Sequence, residues 1–280
     1  MTRHVRGIDH VVIAVRDLDA ASEHFTRMGF ALTPRGYHTV GSENHCAMFA
    51  NGYLELLAVR TPHPVTAYFS RFLDHGDGAA AMVVATDNAQ ALHRDWRAAG
   101  VPVAEPFDFS RPVQTARGDA LARFRITQVD TAYTPGGLVF ACEHLTPELV
   151  YSPDETMHPN GATGLAAVTV SVASAQLEAV ADRYARVLAA STATSGEAER
   201  SIRCGDVDVQ LDDTASEAKP GTAPYVSALT FAVRSLDALT NTLHRNGVAT
   251  KRSGDTLSVD GAIVHGVTLR FAQRGQTKPA

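Results

Sequence analysis

Apolar residues fall in short dense runs, each followed by a stretch of helical period, and this order recurs four times along the chain. Residues 8–15 (IDHVVIAV) are rich in β-branched side chains and predict a strand. Asp17 stands where an N-cap belongs. Leu18, Ala21, Phe25 and Met28 then recur at helical spacing until Gly29, a C-terminal stop. Strand-like runs at 30–33, 45–50 and 53–59 complete a βαβββ unit. The second unit has a strand at 79–86, a helix capped by Asp87 that runs through Trp96 to Gly100, and strand-like runs at 101–104, 122–129 and 137–144. The third opens at 165–173 and continues with a helix from Ser174 through Leu188. Only two strand-like runs follow, 199–204 and 206–211, so it reads as abbreviated. The fourth has a strand at 226–233, a helix from Ser235 to near Gly247, and strands at 255–259 and 264–272. Residues repeat as well as order: VVIAVRDLDA at 11–20 and LTFAVRSLDA at 229–238 share AVR and LDA in one register.

One helix cannot cover the sheet of an isolated unit, so the units are expected to pair. Residues 144–164 hold three prolines, two late glycines and no period, which places a boundary there and predicts domains 1–150 and 151–280. The polar stretch 212–224 reads as the loop between units three and four. The length of 280 residues suits two domains, and 45% hydrophobic content excludes a disordered chain. A net charge of -5 gives no general attraction to nucleic acid or an anionic membrane. No apolar run approaches the roughly 18 residues of a membrane span, and the N-terminus has no apolar core of a secretory signal. Cys46, Cys142 and Cys204 are odd in number and far apart. They argue against a disulfide framework and point to a reducing, cytoplasmic setting.

The residues GIDHVVIAVRDLDAASEHFTRMGF at 7–30, HTVGSEN at 38–44 and NGYLELLAV at 51–59 resemble the vicinal oxygen chelate superfamily, and within it the glyoxalase-like proteins. The resemblance implies an α+β fold of four βαβββ modules, paired into two domains of the glyoxalase/bleomycin-resistance/dioxygenase type. It further implies cups in which first-strand and last-strand residues hold a divalent cation that grips two vicinal substrate oxygens. Zinc, nickel, manganese and iron all suit such ligands.

On that pattern His10 is the first-strand metal ligand, seven residues before the cap Asp17. The same count gives Ala80, Ala167 and Ala228 in the other units, so only unit one retains a histidine. Glu55, between Leu54 and Leu56, falls at the last-strand carboxylate position; its bland alternative is an edge-strand residue facing solvent. Glu143 is its expected partner in unit two, as metal ligand and catalytic group. Strand alternation lets only one of Glu143 and His144 face the cup unless a bulge intervenes. His38 is the acid–base candidate or a further ligand, and Asn44 a substrate-binding candidate; a local turn is the alternative for both. Asp208 and Leu269 fall near the carboxylate position in units three and four, which predicts no metal site there and leaves the second domain as a pocket wall or dimer surface. His158 is expected to pack the linker against the first domain. His4, His24, His63, His75, His93, His244 and His265 read as solvated, and Cys46 and Cys142 as small buried hydrophobes. Arg111, Arg117, Arg123 and Arg125 read as a solvated strand face in preference to an anion site. Two functions follow. One is a glyoxalase-like lyase or isomerase, or a dioxygenase if the metal is iron, acting on a small oxygenated substrate. The other is a metal-free binding or sequestering protein on the same fold.

Overall fold

The computed structural model describes residues 4–115, 118–151, 156–196, 198–213 and 225–273. Arg117 and most of the 212–224 loop lie outside them. The first unit comprises β1 (Val5–Ala14), α1 (Leu18–Arg27), β2 (Gly36–Tyr37), β3 (Ser42–Phe49) and β4 (Gly52–Val59). A short helix, α2 (Ala67–Leu73), precedes the second unit: β5 (Gly78–Thr86), α3 (Ala89–Ala98), β6 (Phe107–Thr115), β7 (Gly118–Gln128) and β8 (Leu138–His144). The third unit is β9 (Ala162–Ser171), α4 (Leu177–Leu188), β10 (Thr192–Gly196), β11 (Glu199–Cys204) and β12 (Val207–Asp212). The fourth is β13 (Tyr225–Val233), α5 (Leu236–Arg245), β14 (Lys251–Ser253), β15 (Thr256–Val259) and β16 (Thr268–Gln273).

These strands form two eight-stranded sheets of identical plan, β2-β3-β4-β1-β5-β8-β7-β6 and β10-β11-β12-β9-β13-β16-β15-β14. In each, the first strands of two units meet antiparallel at the centre, flanked by a parallel last strand. The third unit is therefore complete. Its β10 lies at the edge of the sheet, and its run of Thr, Ala and Ser shows no apolar alternation that sequence could reveal. The exposed β14 escaped the sequence reading for the same reason. Residues 30–33 and 101–104 are not strands. Phe30 is drawn into the aromatic cluster of the core, and Val103, directly after Pro102, makes an isolated bridge to Val129.

Side-chain alternation assigns the faces. From β1, Ile8, Val11 and Ile13 join a core that contains the helices α1, α3, α4 and α5 and the apolar faces of both sheets. Phe30 packs edge-on to Phe231, 5.4 Å between centroids, and Trp96 Nε1 donates to the carbonyl of Val187 at 3.0 Å across the seam. The linker is tied down as well: His158 Nδ1 accepts from Ala31 N and its Nε2 donates to Met48 O, while Asn160 Nδ2 donates to Met28 O. The opposite face of the first sheet, with Val12, Ala14, Ala81, Phe124 and Phe140, packs against Phe69 of α2.

The first sheet curls until its edges touch. Thr39 N donates to Ser110 O at 3.0 Å and Ser110 N to Thr39 Oγ1 at 3.2 Å, joining the β2 edge to β6. A cavity of about 800 Å³ lies inside this curl. Its wall is drawn from residues 10–150, so among the described residues the second sheet contributes nothing to it, contrary to the expectation of a far pocket wall.

Candidate functional site in the first cup

β1 leaves regular alternation where the site begins. Its register against β5 shifts between Ile8 and His10, so Asp9 sits in a bulge. Gly52 lies directly behind that bulge with φ of 132°; a methyl there would come 2.1 Å from Asp9 O, so no other residue fits. The bulge lets two consecutive side chains meet: His10 Nδ1 lies 2.6 Å from Asp9 Oδ2. His144 Nε2 at 3.0 Å and Tyr151 Oη at 2.6 Å reach the same carboxylate. An ionised carboxylate only accepts, so all three groups donate. Burial alone would raise the Asp9 carboxyl, but the hydrogen bonds from His10 and His144 outweigh it and hold it well below the usual carboxylate range.

With its Nδ1 committed to Asp9, His10 turns Nε2 toward the cavity. That atom is 3.6 Å from Glu55 Oε2. The His10 ring is buried and stacks on Tyr53, 4.2 Å between centroids. Glu55 faces the cavity because Leu54 and Leu56 on either side face the core, and β4 lies inside the sheet rather than at its edge. Asn44 Nδ2 donates to Glu55 Oε1 at 2.5 Å, while Asn44 Oδ1 is buried with no partner among the described residues. His38 also lines the cavity, its Nδ1 2.9 Å from Ser42 Oγ. Enclosure lowers its pKa to about 4, with Arg111 and His10 adding to the effect and Glu55 opposing it.

Between pH 6.5 and about 4 the unfolded chain takes up a proton that folded His38 refuses. Its stabilisation is therefore complete above pH 6.5 and is lost as pH falls through that window. Urea unfolding is expected to show about 1–3 kcal/mol less pH dependence there in His38→Gln, allowing for partial screening. His24 and His158 are shifted the same way, chiefly by burial, and add to the loss of stability on acidification.

Glu143 is not brought to this group. Phe140 and Cys142 face the cavity, so alternation turns Glu143 to the other side, where its Oε2 accepts from Ala89 N at the start of α3. His144 is the residue on the cup side, and it is spent on Asp9. The equivalent positions also move by one. Asn88, not Asp87, caps α3, its side chain accepting from Ala91 N, so Ala81 rather than Ala80 corresponds to His10. Val12 pairs with Glu55 and Val83 with Phe140, so Phe140 is the counterpart of Glu55. In the second sheet the register puts Gln210 and Arg270 at that position, not Asp208 and Leu269. Two histidines read as solvated form a chain at the seam: His24 Nδ1 is 3.1 Å from His265 Nε2, and His265 Nδ1 is 2.9 Å from Asp77 Oδ2. His93 is buried and bonded to Ala104 O. Asp9 and Tyr151 were missed; only the D-H pair at a strand start could have pointed to Asp9.

Asp9, Cys142 and His144 each bring one donor atom within 4.8 Å of the others, a spacing that could take a metal ion. An ion there would displace hydrogen bonds already made. Burial also raises the Cys142 thiol well above its ordinary range, which disfavours the thiolate ligand.

Residues 8–188 match the family described as a glyoxalase-like domain. The chain belongs to the glyoxalase-like domain family, within the vicinal oxygen chelate superfamily. No curated protein matches it in sequence. Among solved structures, a hypothetical protein from Staphylococcus aureus superposes with a TM-score of 0.70 at 13% identity, covering 95% of this chain and 99% of that one. A triple mutant of 4-hydroxymandelate synthase from Streptomyces coelicolor gives 0.66 at 16% identity, covering 99% and 95%. A fusion protein of a xylose isomerase-like TIM barrel and a 4-hydroxyphenylpyruvate dioxygenase gives 0.64 at 12% identity, covering 99% of this chain and 50% of that one. At these identities the likeness concerns the fold. No helix among the described residues is long and apolar enough to cross a membrane.

Proposed function

We propose that the first cup is the active site of a glyoxalase-like enzyme acting on a small oxygenated molecule, with His10 and Glu55 as ligands of a divalent metal ion. The observation that supports it is the line Asp9–His10–Glu55. A buried carboxylate fixes the histidine tautomer and leaves Nε2 facing a second carboxylate inside a cavity. Two donors on one ion at bond lengths of 2.0–2.2 Å stand about 3–3.6 Å apart, which the 3.6 Å separation meets. This nitrogen–oxygen set suits zinc, nickel, manganese or iron. When bound, the ion supplies Lewis acidity toward adjacent substrate oxygens, for an isomerase or lyase step or, with iron, oxygenation.

The chain's own residues would do the rest. Asp9 orients His10, and Asn44 orients Glu55. His38, which lines the same cavity, is the acid–base candidate. Phe69, Phe124 and Phe140 keep the floor dry. Glu143 has no part, because it caps α3.

Zinc, nickel, manganese or iron(II) at about 100 times its Kd is expected to add about 2.7 kcal/mol of stability, seen as a rise in Tm. His10→Ala is expected to abolish the rise. A second reading has its own support: Ala81 and Phe140, which hold the positions related to His10 and Glu55 by the repeat, carry no ligand atom. No bound metal after purification without chelator, and no Tm rise with any of the four ions, would decide for a metal-free binding protein.

A further inference from the structure

Among the described residues, Arg111 in the cavity wall has no carboxylate paired with it. Arg111 stands on β6 opposite Ala122 of β7, and its side chain crosses to the far edge of the curled sheet. There it lies over Gly36 of β2. A methyl on Gly36 would come 2.6 Å from Arg111 Nη1 and 2.5 Å from Asn44 Oδ1, so the absence of a side chain at Gly36 is what lets the guanidinium in. The neighbouring arginines are spent: Arg35 pairs with Asp19 and Glu43, and Arg125 with Asp108. The Arg111 guanidinium makes no ion pair and no hydrogen bond among the described residues. Glu55 is committed to Asn44 and faces His10, and Asp119, exposed at the rim, takes the amide of Gln114. His38, the other basic group beside Arg111, is neutral at pH 7.

The wall next to Arg111 is aromatic. Phe109, two residues before it on β6, stacks on Phe124 with centroids 5.0 Å apart and planes 21° from parallel. Phe140 continues this surface to His10, meeting its ring edge-on at 6.0 Å. A guanidinium in a partly desolvated cavity gains most from a carboxylate, which its planar fork can take in two parallel hydrogen bonds.

We infer that the cup takes a carboxylate-bearing molecule with a ring-sized apolar body. Its anionic head pairs with Arg111, its body lies against Phe109, Phe124 and Phe140, and its remaining polar end reaches His10 and Glu55. This rests on the reading of the cup as the small-molecule site, but not on a metal being bound there.

The test uses the full chain treated with chelator, so that no ion can attract the carboxylate. Two matched probes, 3-phenylpropanoate and its neutral amide 3-phenylpropanamide, are titrated by ligand-observed NMR. The acid is expected to bind at least about tenfold more tightly than the amide. Arg111→Gln should bring the two to equal affinity at unchanged Tm, and Arg111→Lys should retain part of the preference. Equal binding of acid and amide to the parent protein would overturn the inference. So would a preference that survives Arg111→Gln, or no binding of the acid up to about 10 mM. The two readings separate in the parent protein. If it prefers the acid while no ion raises its Tm, the metal reading fails alone; if ions raise its Tm and the acid has no advantage, only this inference fails.

Discussion

Asp9→Ala is expected to lower stability by about 3–5 kcal/mol, read as a fall in the urea midpoint at unchanged m-value. The size follows from what the carboxylate does. It is buried and receives His10 Nδ1–H, His144 Nε2–H and the Tyr151 hydroxyl. Removing it strands three donors at once, two of them on buried histidines, and an unmet buried donor costs about 1–3 kcal/mol. His10 would also lose the partner that fixes its tautomer. Metal affinity in the same variant should therefore fall about 10–100-fold, the usual cost of losing a residue that orients a ligand. Tyr151→Phe removes only one donor, a half-exposed one, and should cost far less. An Asp9→Ala midpoint within error of the parent would show that the carboxylate is not the hub described.

Trp96→Ala is the second large effect, about 3–5 kcal/mol from loss of a fully buried indole. The indole NH of Trp96 on α3 reaches Val187 O on α4, so the substitution opens a cavity where the two sheets share one core. Both halves are expected to lose stability together, in one cooperative transition by circular dichroism. Two separated transitions in the parent protein would mean that the seam does not couple them.

The repeats were legible because each first strand and helix buries one face, and burial imposes period on sequence. Edge strands β10 and β14 left no such trace, the three residues of β14 being exposed throughout. Register was legible only to within a residue: Asp87 and Asn88 both look like caps, and the choice moved the site count from Ala80 to Ala81. Glu143 illustrates the same limit. The motif allowed Glu143 or His144, and the pairing of Phe124 with His144 settled which side chain faces inward.

By itself the sequence determined four repeats of strand, helix and further strands, with a histidine at the first-strand position in only one of them, because local pattern and spacing are carried in full by a linear chain. The candidate pair His10 and Glu55 came from the resemblance of residues 7–30 and 51–59 to the vicinal oxygen chelate superfamily. Only the tertiary structure decided that a bulge aims Asp9 and His10 at each other. It also decided that Glu143 serves a helix and that Arg111 enters the cup. Arg111 sits in a segment whose polarity alone suggests a solvated face. It becomes a cavity residue because β2 and β6, 71 residues apart at Thr39 and Ser110, close on each other over a glycine. Sheet curvature and edge closure are properties of many strands packed together, so no local stretch of residues encodes them.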